Sequence, residues 1–213
     1  MKLSCVPGTN NAYGVEWTKF HDDCDYPALV RDCAHVAFET ATLDSDLEGE
    51  NVIVEPHETS AGVVSAFIEV LGAPVKLMQV DSAVADDTPN PVQAHGKQLS
   101  YHHAGLPCNR TFPNEVRVPH LRLAYLPGKH NRYGVEWIRF EEGNENPDIV
   151  KHFAHVAFEV DDVALAVVGE KVIYHSGRGT PGIVVAMIEV DGAPVEFIEL
   201  DRRIVGDQYD ARY

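Results

Sequence analysis

The chain has few cysteines, no long apolar run and little positive charge, and each shortage closes off a class of function. Its 213 residues include four cysteines, Cys5, Cys24, Cys33 and Cys108. None has the CxxC spacing of a thiolate metal site, and they read as reduced thiols rather than a disulfide frame. No apolar stretch approaches the roughly 20 residues that span a bilayer. The opening Met-Lys-Leu-Ser-Cys-Val-Pro-Gly lacks an apolar segment of secretory-signal length, which predicts a cytoplasmic protein. Seventeen Lys and Arg stand against 33 Asp and Glu, a net charge of −16. That balance argues against a nucleic-acid partner, which needs a basic surface, and against anionic membranes. Walker, Rossmann and Gly-x-Ser-x-Gly signatures are missing as well. What is left is a globular composition, 45 % hydrophobic and 23 % charged.

What the chain does have is an internal copy. Residues 1–81 lie over residues 121–201 at a constant offset of 120, with 33 of the 81 positions identical. Unrelated segments would share roughly one position in sixteen. The longest shared runs are Tyr-Gly-Val-Glu-Trp (13–17 and 133–137) and Ala-His-Val-Ala-Phe-Glu (34–39 and 154–159). His35 therefore matches His155, whereas Gln79 matches Glu199. The expected organisation is a first module over 1–81, a connector over 82–120, a second module over 121–201 and a polar tail over 202–213. The connector is rich in Pro, Asn, Asp and His and reads as largely irregular. At 39 residues it is long for a loop, so part of it is expected to carry a short element.

Each copy reads mostly as strands. In the second, 123–126 and 133–140 suggest a hairpin, and 153–160 is a strand by its Val and Phe content. Asp161-Asp162 caps a short helix over 163–168. A strand over 171–174 follows, then strands over 183–190 and 195–200 joined by the turn signal Asp191-Gly192. Each copy is thus a β-α-β-β-β unit preceded by a hairpin. Alternation puts His155, Ala157 and Glu159 on one strand face, and Val156, Phe158 and Val160 on an apolar face expected to pack on the helix. On the last strand Val195, Phe197 and Glu199 share a face. Convergence of His155 with Glu199 requires those two faces to line the same side of the sheet.

A strand His-Val-Ala-Phe-Glu-Val-Asp-Asp leading into a helix, with the closing hairpin Ile-Val-Val-Ala-Met-Ile-Glu-Val-Asp-Gly-Ala-Pro-Val-Glu-Phe-Ile-Glu-Leu, resembles the vicinal oxygen chelate superfamily. That group includes glyoxalase I, methylmalonyl-CoA epimerase and the extradiol dioxygenases. The resemblance covers both copies and is strongest from His155 to Leu200. It implies an α+β, glyoxalase-like fold of two pseudo-symmetric βαβββ modules whose sheets enclose a metal cavity. Ligands in this family come from the first and last strands of each unit, which implies His35, Gln79, His155 and Glu199 here. Two imidazoles, a carboxylate and an amide oxygen without thiolate suit a divalent ion: Zn, Ni, Co, Mn or Fe.

The function implied is a metal-dependent isomerase, epimerase or lyase that acts on a small substrate with vicinal oxygens through an enolate-like intermediate. Glu199 is the first choice for proton transfer, followed by Glu159 and Glu39. His175 and Arg178 are candidates for the cavity mouth, Arg178 for a substrate carboxylate or phosphate. Two alternatives stand beside this reading. His35, His155 and Glu199 alone would make the two-His-one-carboxylate triad of an Fe(II) extradiol-type dioxygenase; a non-catalytic small-molecule-binding protein of the same fold is the other. The cavity closes either within one chain or between the chains of a homodimer. Tyr13, Tyr133, Trp17 and Trp137 read as packing residues, and His102, His103 and His120 as surface or loop residues of the connector.

Overall fold

The computed structural model describes residues 3–85, 93–94, 97–177 and 180–206. It divides into two compact units, Met1–Asn10 with Glu16–Asn90, and Asn11–Val15 with Pro91–Tyr213. In the first, β1 (Leu3–Val6) and β2 (Trp17–Phe20) form an antiparallel pair. After α1 (Ala28–Asp32) come β3 (Val36–Glu39), α2 (Leu43–Asp46), β4 (Val52–Ser60), β5 (Val63–Val70) and β6 (Ala73–Val80), which make a four-stranded sheet in the order β3-β6-β5-β4.

The second unit begins with a small ladder, β7 (Gln93–Ala94) and β8 (Lys97–Gln98). Then come β9 (Ser100–Pro107), β10 (Val116–Val118), β11 (Leu123–Leu126), β12 (Val135–Phe140), α3 (Asp148–His152), β13 (His155–Glu159), α4 (Val163–Ala166), β14 (Val172–His175), β15 (Ile183–Val190), β16 (Ala193–Leu200) and α5 (Arg202–Val205). Eight of these strands form one sheet, β10-β11-β12-β9-β13-β16-β15-β14. The protein is mostly sheet with a few short helices, an α+β fold.

Local chemistry repeats with the sequence. Leu71-Gly72 and Asp191-Gly192 both hold positive φ at the two turn positions, the backbone that closes a tight hairpin between twisted strands. The Asn11 and Asn131 side chains each donate to a valine carbonyl four residues on, at 2.8 Å, and accept two backbone N–H groups. Asp162 caps α4 by accepting from Leu165 N, as the sequence predicts. Segment 82–120, read as irregular with part of it carrying a short element, contains β9 and β10, which belong to the eight-stranded sheet.

The core of the second unit lies between the helix side of this sheet and α4. Phe158, Ala186, Ile188, Val195 and Phe197 pack there against Val163, Ala166 and Tyr13. Tyr13 is 6 % exposed and meets Phe197 edge-on at 5.8 Å, and its hydroxyl donates to Glu170 Oε1 at 2.5 Å. Burial and this carboxylate raise the phenol's pKa, which keeps it a donor. Tyr13 thus anchors a five-residue segment in the second unit while the chain on either side belongs to the first. Tyr13→Ala is expected to destabilise the second unit by about 3–5 kcal/mol, and Tyr13→Phe by about 2 kcal/mol for the lost bond to a charged acceptor. Urea unfolding of the full chain measures both.

Candidate metal centre

Register decides which side chains of the eight-stranded sheet meet. β13 runs parallel to β16 with Ala157 opposite Glu196, and antiparallel to β9 with Ala157 opposite His103. His103, Ala157 and Glu196 therefore form one row on one face. In the next row Gly105 on β9 lies opposite both His155 on β13 and Glu136 on β12. Partners across a sheet share a face, so two imidazoles and two carboxylates surround a floor of Gly105 and Ala157.

The four groups are close, and all but the partly buried Glu136 are buried. His155 Nε2 lies 3.2 Å from Glu196 Oε2, and His103 Nε2 lies 3.8 Å from Glu136 Oε1. One donor atom each from His103, His155 and Glu196 falls within 4.8 Å of the others. These three residues are 5 %, 4 % and 7 % exposed. Despite the short approach to Glu196, neither ring nitrogen of His155 has a partner in hydrogen-bonding geometry among the described residues. An imidazole nitrogen facing a carboxylate oxygen without a proper hydrogen bond fits a shared cation. With metal–ligand bonds of about 2.1 Å, neighbouring ligand atoms sit roughly 3.0–3.4 Å apart.

The floor fits as well: a Cβ built on Gly105 would run into Cε1 and Nε2 of the His155 ring. Burial lowers the pKa of His103 to about 3, against the pull of Glu196, so its imidazole is neutral as a ligand must be. Burial and the neighbouring Glu196 raise Glu136 to about 8. Glu196 differs: burial pushes its carboxyl up, but His155 at its oxygen and the fields of His103, His155 and His102 together hold it below the usual range.

The sequence-derived set is distributed otherwise. His155 is in the cluster. Glu199 projects from the opposite face of β16, and its Oε2 accepts from Val163 N at 3.0 Å, the first turn of α4. Gln79 does the same in the first unit, its Oε1 accepting from Leu43 N of α2 at 3.0 Å. The acid and the amide thus share a capping role, which either group performs through an oxygen. Glu159 lies on the His155 face but is paired with Arg202 at 2.6 Å, and Glu39 is exposed on β3. His175 is exposed, its Nδ1 accepting from Gly177 N at 3.0 Å; Arg178 lies outside the described residues.

In the first unit His35 is the counterpart of His155, but the position matching Glu196 is Lys76. Two groups that would both be cations when protonated share this site. Burial, then Lys76, lowers His35 to about 4, and burial lowers Lys76. An ammonium where the second unit has a carboxylate repels a divalent ion. This histidine also gives a pH dependence. The unfolded chain protonates it near pH 6.5, whereas the folded unit resists until about pH 4. Stability contributed above 6.5 is therefore lost as pH falls through that window, by up to about 3 kcal/mol. Comparing urea unfolding of wild type and His35→Gln between pH 7 and 4 isolates this term, with the variant the less acid-sensitive.

The residues gathered around His155 carried signals in the sequence. Glu196 faces Lys76 across the repeat, a full charge inversion, while the histidines stay fixed. Glu136 has the counterpart Glu16. His103 has no counterpart, because subtracting 120 takes it off the chain.

In the eight-stranded sheet an antiparallel β9–β13 pair is flanked on each side by a parallel partner, β12 and β16. No protein-family profile and no curated protein matches the chain. Similar solved structures include a mutant of 4-hydroxymandelate synthase from Streptomyces coelicolor, with TM-score 0.38 and 13 % identity, covering 79 % of this chain and 71 % of that one. Another is methylmalonyl-CoA epimerase from Mycobacterium tuberculosis, with TM-score 0.22 and 17 % identity, covering 80 % and 88 %. A hypothetical protein from Bacillus halodurans C-125 has TM-score 0.24 and 12 % identity, covering 78 % and 92 %.

Proposed function

We propose that the second unit is a metal-dependent isomerase, epimerase or lyase that acts on a small substrate with two neighbouring oxygens. The observation that carries this reading is the buried group His103, His155 and Glu196, with the partly buried Glu136 beside it on the same sheet face. On this reading β9–β12 and β13–β16 are the paired modules, so the two-module site lies within the second unit rather than being split across the 120-residue repeat. His103, His155 and Glu196 form a donor set of two imidazoles and a carboxylate without thiolate, suited to Zn, Ni, Co, Mn or Fe, with Glu136 beside it. Such an ion would supply Lewis-acid polarisation of a substrate oxygen.

The two acids divide the remaining work. Glu196 stays ionised among the imidazoles and holds the cation. Glu136, raised to about 8, takes up and returns a proton near neutral pH, and we assign it the proton transfer beside the substrate carbonyl. The test is solvent-deuterium incorporation next to the carbonyl across a panel of 2-keto acids, 2-hydroxy acids and thioesters, with the chain loaded with each metal in turn. Glu136→Gln is expected to retain metal and lose exchange by about 10²–10⁴-fold. Exchange at the wild-type rate in that variant would overturn the assignment.

A second reading has its own support. His103, His155 and Glu196 alone form a two-His-one-carboxylate group, which suits a non-haem Fe(II) oxygenase. Oxygen consumption with catechols, confined to the anaerobically iron-loaded chain and without deuterium exchange, would select it over the first.

A further inference from the structure

β9 presents two consecutive histidines, and a regular strand would send them to opposite faces. The pairing with β13 prevents this: His103 lies opposite Ala157 and Tyr101 opposite Phe158, which makes His102 the extra residue of a bulge. Such a bulge re-aims the side chains beside it. Here the two rings meet edge to face, centroids 5.0 Å apart at 75°, with their Nδ1 atoms 2.8 Å apart. Both residues are buried, at 7 % and 5 % exposure.

Two imidazole nitrogens at that distance share one hydrogen. If both carried a proton the hydrogens would collide; if neither did, two lone pairs would face each other. Which ring donates is fixed by the other end of His103. Its Nε2 faces Glu136 and belongs to the group with His155 and Glu196. A ligand nitrogen must be bare, which places the His103 proton on Nδ1.

We propose that His102 is a positioning residue for the metal centre: its bare Nδ1 accepts the Nδ1–H of His103 and so fixes the tautomer and ring angle that turn His103 Nε2 toward the carboxylates. This rests on the metal-binding reading given above. A carboxylate or carbonyl is the usual outer partner of a ligand histidine. A neutral imidazole does the same without adding a third negative charge beside Glu136 and Glu196. The bulge is the device that makes this contact possible.

The test uses the full chain and Co²⁺ as probe, with uptake followed by its visible absorption. His102→Phe keeps a ring of similar size but has no acceptor, whereas the side-chain oxygen of His102→Asn can stand in for Nδ1. His102→Phe is expected to weaken Co²⁺ binding by about 10–100-fold and His102→Asn to restore most of it, with both variants melting close to wild type. Wild-type affinity in His102→Phe, or equal weakening in both variants, would overturn the proposal. Should His102→Phe fail to fold, nitrogen-15 spectra of the Zn²⁺-loaded wild type decide the point. A proton on His103 Nδ1 shared with His102 Nδ1 supports the proposal, and a proton on His102 Nδ1 overturns it. A wild type that takes up neither Co²⁺ nor Zn²⁺ overturns the metal reading and the proposal together, whereas normal uptake with the proton on His102 overturns the proposal alone.

Discussion

Replacing His155 with alanine is expected to abolish tight divalent-metal binding, while the same change at His35 leaves it intact. The two histidines occupy matching positions in two copies of one sequence, so residue type alone does not separate them. Their surroundings do. His155 faces Glu196 at 3.2 Å with a second acid and a second imidazole in the next strands. His35 has Lys76 where Glu196 would be. Removing one of three ligands from a buried set also leaves the Glu196 carboxylate without its imidazole neighbour, so the loss exceeds a single bond. An effect of at least about 100-fold on affinity follows, the upper end of what even an outer-shell change produces. Titration with Co²⁺ or Zn²⁺ gives the comparison directly: one ion per chain for wild type and His35→Ala, none tightly held for His155→Ala.

The second large effect is expected at Gly105, a residue with no donor atom to offer. Its missing side chain is the space into which the His155 ring fits. Gly105→Ala places a methyl group inside the contact distance of that ring, and the ring cannot withdraw because His155 is 4 % exposed and packed on both sides. The variant should lose metal affinity by about 10–100-fold through misplacement of a ligand, with an overpacking cost of about 1–3 kcal/mol in stability. Isothermal titration and urea unfolding measure the two quantities separately. Wild-type metal affinity in Gly105→Ala would mean that His155 is not held where the site requires it.

Much of the fold is legible in the sequence because its devices are local. Strand alternation, the Asp162 cap and the hairpin turns at Leu71-Gly72 and Asp191-Gly192 each follow from a few neighbouring residues. β9 escaped such a reading for equally local reasons. Ser-Tyr-His-His-Ala-Gly-Leu-Pro holds no β-branched residue, ends in Pro and has its alternation broken by the bulge at His102. It lies in a segment otherwise rich in turn-forming residues. Its strand character comes from being held between β12 and β13, a tertiary cause.

Around His155 the sequence reading pairs this histidine with Glu199, whereas the residue on its face of the last strand is Glu196. Glu196 and Glu199 are three residues apart, an odd step, so they project to opposite sides. The alternation that sends Val156 and Phe158 to the helix side also sends Val195 and Phe197 there, and Glu199 with them. The apolar company of Glu199 therefore marks it as a cap, and the odd carboxylate Glu196 as the group facing His155. The Gln79/Glu199 difference is a change between two acceptors with one structural duty. The Lys76/Glu196 difference inverts a charge and alters what each unit can bind.

Anomalous diffraction from crystals grown with Co²⁺ tests the central claim most directly. The account predicts one strong peak per chain, in the second unit, bounded by His103, Glu136, His155 and Glu196. A peak coordinated by Glu199, a peak beside His35, or none at saturating metal would contradict it.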